Sequence, residues 1–144
     1  GQLVYGEEDD EVEDAAVAAL AAASTSLATI EAGTAGRVAA LFAQAADRRQ
    51  DGGQAFFRGG LVLPELPHEK AQLIQAAKDV AKSHNASVGM AVGPVRSIGA
   101  RQAIDVIVVK DGSAIAMEHI LGGGGIAMSR AAKSAIDQVR QTLL

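Results

Sequence analysis

The sequence predicts an α/β fold, a three-layer α/β/α arrangement with a mixed sheet. Short apolar runs alternate with amphipathic runs of helical period in the order α-β-α-β-α-β-β-β-α. The helices in this order are too many for one sheet face, which favours helices on both sides. A hairpin signal near the end of the chain adds an antiparallel pair of strands.

Composition sets the character of the core. The chain has 144 residues, of which 49% are apolar but only 3% aromatic, and it has no Trp. A core of this composition is built from Ala, Val, Leu and Ile, which suits helices packed closely on a sheet. The length is enough for one domain with a real core, so residues 1–144 are interpreted as a single domain.

Small and polar residues divide the first part of the chain. An extended segment at residues 3–5 precedes an Ala-rich helix at residues 12–23. The apolar run at residues 26–30 predicts the first strand, and the amphipathic run at residues 35–46 predicts the second helix. A loop rich in glycine and polar residues follows at residues 48–54.

The clearest helix signal lies at residues 68–84, where apolar side chains share one face. A strand at residues 56–63 precedes it and is ended by prolines. A further strand at residues 87–92 stops at Gly93 and Pro94.

The last part of the chain predicts a hairpin and a final helix. Apolar runs at residues 104–109 and 114–121 flank Asp111-Gly112, a strong signal for a two-residue turn. The glycines at residues 122–125 suit either a phosphate-binding loop or a simple break, and they lack the lysine of a P-loop. The final helix carries an apolar stripe of Met128, Ala132, Ala135, Val139 and Leu143. Over the whole chain we expect a core that includes Val38, Leu41, Leu73, Ile74, Val80, Ile136 and Val139.

The negative charge is concentrated near the N-terminus. Seven of the eight residues from Glu7 to Asp14 are acidic, and the rest of the chain has ten acidic residues against thirteen basic ones. We favour a solvated first helical turn, whose carboxylates suit a helix N-terminus, over a metal site or a strip that docks a basic partner. No basic stripe with interleaved aromatics is present, so we expect no nucleic-acid binding. No apolar run approaches the length of a membrane span, so we expect no membrane partner.

Cysteine and histidine exclude several kinds of chemistry. The chain has no cysteine, which rules out disulfides and thiolate catalysis and predicts a cytoplasmic protein. Its histidines, His68, His84 and His119, lack metal-ligand spacing. We therefore expect no metal and no cofactor.

A small-residue turn joins the first strand to the second helix at residues 31–36, Glu-Ala-Gly-Thr-Ala-Gly. Backbone N–H groups at such a turn, together with the positive end of the helix, can hold an anion. Thr34 carries the hydroxyl of the turn. We favour a role for Thr34 as the N-cap of the second helix over a role as a nucleophile.

Several segments resemble one known family. Residues 4–9, Val-Tyr-Gly-Glu-Glu-Asp, the turn at residues 31–36 and residues 53–62 are similar to the V-Y-G-E-D-D, E-S-C-T-G-G and G-S-S-x-Y-F-x-G-G-V-V motifs of the CinA C-terminal domain family, the nicotinamide-nucleotide amidohydrolases. The resemblance covers nearly the whole chain. It implies the CinA C-terminal fold for a domain that is either complete or the C-terminal part of a longer protein.

The resemblance also implies a site, and the chain departs from the family there. Ala32 stands where the family has its serine nucleophile, and Lys70 falls on the lysine that assists that serine. Gly89 aligns with the threonine of T-G-I-A-G-P, and Ile126 with the first arginine of G-D-R-x-x-V-R. A family segment of roughly twenty residues, by the same comparison, is missing between Lys70 and Gly93, where only one helix is predicted. The residues implied for ligand binding are Glu31, Gly33, Thr34, Gly36, Lys70, Gly93 and Arg130.

These departures decide the functional expectation. A Ser–Lys amidase needs an alcohol nucleophile, an amine of lowered pKa and donors for the oxyanion, and Ala32 removes the first. The leading hypothesis is a domain without amidohydrolase activity, retained as a nucleotide-binding or assembly module. One alternative is an active deamidase of nicotinamide mononucleotide; the other is a purely structural oligomerisation domain. The expected partners are a nicotinamide-nucleotide-like molecule and a second copy of the chain, because the missing segment uncovers apolar surface.

Overall fold

The computed structural model describes residues 12–49, 52–122 and 127–144. Helices and strands in these ranges follow the predicted order with one additional strand. The helices are α1 (Val12–Ala22), α2 (Arg37–Arg48), α3 (Lys70–Ser83) and α4 (Ala127–Thr142). The strands are β1 (Leu27–Glu31), β2 (Phe57–Val62), β3 (Val88–Val92), β4 (Arg96–Ile98), β5 (Arg101–Lys110) and β6 (Ser113–Leu121).

The strands form one mixed sheet, as predicted. Its order is β2-β1-β3-β5, with β4 beside the start of β5 and β6 on the outer side of β5. Strand β1 runs parallel to both β2 and β3, with Leu27 opposite Val88 and Glu31 opposite Val92. Strand β5 is antiparallel to β3, β4 and β6. The carboxyl ends of β1, β2 and β3 therefore lie at one edge, from which α2 and α3 begin.

Helices cover both faces of the sheet, which confirms the three-layer arrangement. Helix α3 packs on one face, where Leu73, Ala77 and Val80 contact the buried side chains of Ala28 and Ile107. Helices α1, α2 and α4 pack on the other face, around a larger core that includes Leu20, Phe42, Met90, Ile104 and Ile136. Phe42 stacks on Phe57 with ring centroids 5.3 Å apart. Among the described helices, none combines the length and apolar character that a membrane span requires.

Most of the predicted core residues are buried. Val38, Leu73, Val80, Ile136 and Val139 are each no more than 2% exposed. The prediction was wrong for Leu41 and Ile74, which are only partly buried. Each lies at the border of the apolar stripe of its helix, so it packs against the rim of a core rather than inside it.

The additional strand is β4, which the sequence did not predict. It is only three residues long, and Arg96 and Ser97 give it no apolar alternation. It pairs with the start of β5, which therefore begins at Arg101 rather than at residue 104. The ion pair of Arg96 with Asp105 of β5 supports this pairing, and a single-sequence pattern does not reveal such a contact.

The solvated first turn predicted for α1 was wrong for Glu13. This side chain is only 4% exposed at residue level, and its carboxylate lies 2.8 Å from Lys133 Nζ of α4 and 3.6 Å from Arg48 of α2. Packing of α1 between α2 and α4 places Glu13 there, and the two cations balance its burial. The predictions for residues 3–5, for the acids at residues 7–11 and for the glycines at residues 123–125 lie outside the described residues.

Candidate functional site

The turn after β1 is organised by the side chain of Glu31. Glu31 is fully buried, and one of its oxygens accepts the hydroxyl of Thr34. That oxygen also accepts the N–H groups of Gly36 and Val38, each at 3.1 Å, and the other accepts the N–H of Ala39 at 2.8 Å. Four donors on two oxygens match an ionised carboxylate, which only accepts hydrogen bonds.

Glu31 therefore caps α2 from within the chain. The first N–H groups of a helix have no intrahelical partner and lie at the positive end of the helix dipole. Gly36 occupies the N-cap position in the left-handed conformation, with φ of 92°, and no side chain caps the helix from that position. The anion predicted for this turn is thus a residue of the turn itself.

The predicted N-cap role of Thr34 was wrong. Helix α2 begins at Arg37, and the N-cap is Gly36. Thr34 is fully buried and its hydroxyl donates to Glu31. The hydroxyl is therefore one of the donors that hold the Glu31 carboxylate, which is a structural contact within the turn.

The backbone of the turn is fixed against the end of β3. The N–H of Ala32 donates to the carbonyl of Val92 and that of Gly33 donates to the carbonyl of Gly93, each at 3.0 Å. A Cβ at Gly33 would lie 2.5 Å from the Gly93 oxygen, so this approach requires glycine. These N–H groups already have acceptors and are not oriented toward an external oxyanion.

No hydrogen bond joins the side chains at the two positions implied for chemistry, Ala32 and Lys70. Ala32 is partly buried and presents a methyl group. Lys70 is the first residue of α3, at the same sheet edge as the turn, but its side chain is exposed and has no hydrogen-bond or ion-pair partner among the described residues. No group of three metal-ligating side chains occurs in the described part of the chain.

Gly89 is not brought to the turn. It lies inside β3 opposite Ala28 of β1, several residues before the edge at which Ala32 lies. A Cβ at Gly89 would collide with the carbonyl oxygen of Ala77 in α3. Close packing of the helix on the strand explains glycine at this position, so the absence of a hydroxyl here reflects packing.

Three implied residues remain, and only one of them, Gly93, lies at the turn. Gly93 belongs to the turn environment, because its carbonyl accepts the Gly33 N–H and its own N–H donates to Asp105. Arg130 is exposed near the start of α4. Ile126 lies outside the described residues. The structure thus brings Glu31, Gly33, Thr34, Gly36 and Gly93 together.

A second candidate site, missed from the sequence, is a cleft between α1, α4 and β6. Its volume is about 1020 Å³, and its lining includes Met117, His119, Lys133 and Asp137. The Gln138 side chain donates to the Val106 carbonyl at 3.0 Å, and its amide oxygen lies 2.8 Å from His119 Nε2. With this assignment of the amide, His119 Nε2 is the donor of that hydrogen bond. His119 and Gln138 are nineteen residues apart, so no local sequence motif predicts their contact.

A third polar group lies on the opposite face of the hairpin. Arg96 contacts both oxygens of Asp105, at 2.8 and 3.0 Å, and also the carboxylate of Glu118 in β6. The hydrogen bond to Asp105 and then that to Glu118 raise the pKa of Arg96 above its ordinary value. The guanidinium is therefore a fixed positive charge that pairs with both acids.

Solved structures resemble this arrangement over almost its whole length. A CinA superfamily protein from Enterobacter cloacae matches with a TM-score of 0.77 at 14% identity, over 94% of this chain and 92% of that chain. The chain has a CinA-like fold. A CinA superfamily protein from Escherichia coli matches with a TM-score of 0.70 at 18% identity, over 99% of this chain and 94% of the other.

The competence/damage inducible protein CihA from Agrobacterium tumefaciens also has the CinA-like fold, with a TM-score of 0.62 at 14% identity over 92% of this chain and 93% of that one. No protein-family profile matches the sequence, and no curated protein matches it. At 14–18% sequence identity, this similarity shows the fold alone.

Proposed function

We propose that this chain is a CinA-like domain that does not hydrolyse amides and acts as an assembly module. The observation that carries this proposal is the state of the turn at residues 31–36. Ala32 offers no nucleophile, the Ala32 and Gly33 N–H groups are bonded to β3, and the Glu31 carboxylate fills the start of α2. Nucleophile and oxyanion donors are the two parts that acyl transfer needs most.

The size of the loss argues against residual amidase activity. Removing the nucleophile of a comparable hydrolase lowers turnover by about 10⁶-fold, and the remaining rate comes from oxyanion donors and substrate binding. Here the turn N–H groups that could serve as donors are already bonded. The Thr34 hydroxyl is no substitute nucleophile in this geometry, because it is fully buried and donates its hydrogen bond to the Glu31 carboxylate.

The assembly role draws support from exposed apolar side chains on β6. Ile115, Met117 and Ile120 are 43%, 45% and 47% exposed, along a strand whose outer edge has no partner in the described chain. A protein that keeps such a strand uncovered risks edge-to-edge aggregation. Association with another chain through β6 covers these apolar side chains, which is the assembly role that we propose.

The test combines an ammonia-release assay with calorimetric titration, both with nicotinamide mononucleotide. We expect neither turnover nor saturable heat. Saturable binding without turnover would overturn the assembly role in favour of a nucleotide-binding module. Ammonia release that is lost in Lys70→Ala or Thr34→Ala would instead establish an active deamidase. Ammonia release reports hydrolysis of the amide, and the titration reports binding, so the two assays separate the three outcomes.

A further inference from the structure

Strand β6 forms an open edge of the sheet. All nine of its residues pair with β5 in one continuous antiparallel register, with no shift between Ser113 and Leu121. On the outer side, β6 has no neighbouring strand among the described residues. Within the described residues the strand is therefore long and regular, and its outer edge is unpaired.

The hairpin turn fixes which backbone groups point outward. Asp111 and Gly112 have φ of 53° and 79°, as in a type I′ turn, so Lys110 and Ser113 form the first hydrogen-bonded pair. Bonded pairs alternate along an antiparallel ladder. The residues whose N–H and C=O groups point to the open edge are therefore Ala114, Ala116, Glu118 and Ile120.

Strand β6 has few of the features that normally protect a sheet edge, and Glu118 is its one charged side chain. Strand β6 contains no lysine, no proline and no bulge. The opposite edge, β2, has a register shift against β1 and a glycine at φ of 118°, Gly59, within only six residues. Strand β2 is thus shorter and less regular than β6, so β6 is the edge better suited to pairing with another strand.

We propose that β6 pairs antiparallel with β6 of a second copy of this chain, about a two-fold axis at Met117. The proposal rests on the assembly role proposed above and names its surface. Pairing about Met117 places Ser113 opposite Leu121 of the second copy and uses the whole strand. A two-fold axis is the commonest symmetry of protein dimers.

The side chains in this register are compatible. Met117 faces Met117 across the axis, Ile115 faces His119, and Ile120 faces Ala114, which covers the exposed apolar side chains. Glu118, the one acidic residue of β6, faces Ala116 rather than Glu118 of the second copy, and it already pairs with Arg96 of its own chain. A register centred one residue later would set the two Glu118 carboxylates opposite each other, which is unfavourable.

Cysteine cross-linking tests this register directly, because the natural chain has no cysteine. In a non-hydrogen-bonded antiparallel pair the Cα atoms lie about 4.5 Å apart, within the range that a disulfide spans. We expect Met117→Cys to form a disulfide-linked dimer under mild oxidation, and Ala116→Cys to remain uncross-linked. Cross-linking of Ala116→Cys in preference to Met117→Cys would overturn the register.

Sedimentation of the unaltered chain and of two lysine variants tests the surface. We expect a dimer of the 14.6 kDa chain, whose dissociation constant rises at least about tenfold in Met117→Lys because the two ammonium groups would face each other. Leu61→Lys, at a similarly exposed position on the opposite edge, is the matched control and leaves the dimer unchanged. Circular dichroism confirms that each variant is folded.

Three results would overturn the proposal: a monomer at every concentration, a dimer unaffected by Met117→Lys, or a dimer broken by Leu61→Lys. If the chain is a monomer and releases no ammonia, the β6 interface and the assembly role are wrong, and the proposed lack of amidase activity still holds. If the chain is a dimer joined through β6 and releases ammonia, only the proposed lack of amidase activity is wrong.

Discussion

At the scale of single residues, Glu31 determines what the turn at residues 31–36 is able to do. Its carboxylate accepts a hydroxyl and three N–H groups at the start of α2, where an exposed turn would bind an external anion. The N–H groups of Gly36, Val38 and Ala39 therefore already have an acceptor within the chain. The burial of Glu31 is balanced by these hydrogen bonds.

Replacing Glu31 by glutamine tests this role. Glu31→Gln keeps the shape but turns an NH₂ group toward N–H donors, so at least one buried donor loses its acceptor. We expect the free energy of unfolding in urea to fall by about 1–3 kcal/mol. Glu69→Gln is the control, since Glu69 is an exposed N-cap residue without a side-chain cap bond, and we expect less than about 0.5 kcal/mol there. Equal stabilities of the two variants would contradict the capping role.

Restoring the serine tests the chemical state of the same turn. We expect Ala32→Ser to release no ammonia from nicotinamide mononucleotide, because Lys70 is exposed and the N–H groups of Ala32 and Gly33 are bonded to β3. Turnover by Ala32→Ser, measured as ammonia against the unaltered chain, would show a site that is intact except for its nucleophile.

The change from an apolar run to an amphipathic one predicted the position of the turn between β1 and α2. The sequence did not predict the partners of Glu31. A glutamate at the end of an apolar strand has no pattern that separates an internal cap from a ligand-binding residue. Only the backbone path through the left-handed Gly36 places the α2 N–H groups around that carboxylate.

At the scale of elements, the packing of α3 on the sheet depends on a close approach at Gly89. The carbonyl of Ala77 occupies the space that a side chain would need, and Ala81 lies beside it. The helix therefore lies nearer to β3 than any residue with a Cβ would allow. Such a contact favours small residues on both elements, in agreement with the Ala-rich composition.

The addition of one methyl group at Gly89 tests this close contact. Gly89→Ala forces the helix away from β3, and overpacking of this kind costs about 1–3 kcal/mol of unfolding free energy. Gly122→Ala is the control, because a Cβ there meets nothing within 4 Å. Urea unfolding of the two variants gives the comparison, and a Gly89→Ala protein as stable as Gly122→Ala would contradict the close packing.

Elements with strong periodicity were predictable and short polar ones were not. Helix α3 was predicted at residues 68–84 and lies at Lys70–Ser83, because its apolar side chains share one face. Strand β4 was missed because three residues with Arg96 at their start carry no strand pattern. The burial of Glu13 was missed because its cations, Lys133 and Arg48, come from helices distant in sequence.

At the scale of the whole molecule, the sheet is asymmetric between its two edges. One edge is the short β2 with a register shift, and the other is the regular nine-residue β6 with exposed apolar side chains. The layered fold was predictable from the order of elements, whereas the exposure of β6 depends on which strand ends the sheet. Sequence order does not fix that, since β5 rather than β6 pairs with β3.

Association through β6 makes stability depend on concentration. A dimer that forms only from folded chains is stabilised by mass action, so we expect the thermal midpoint to rise with protein concentration. In Met117→Lys the midpoint should lose this dependence. Scanning calorimetry of both proteins over a hundredfold range of concentration gives the comparison. By mass action, this range corresponds to about 2.7 kcal/mol of stabilisation. A midpoint that is independent of concentration in the unaltered chain would contradict a β6 dimer.

The measurement that tests the central claim most directly is an NMR titration of the unaltered chain with nicotinamide mononucleotide. Backbone amide spectra report on the N–H groups of Gly36, Val38 and Ala39, and the ligand proton signals report amide hydrolysis in the same tube. Because Glu31 already accepts those N–H groups and Ala32 has no nucleophile, we predict unchanged amide positions and an unchanged ligand. Saturable shifts of these amides, or conversion of the ligand to its acid, would contradict the account.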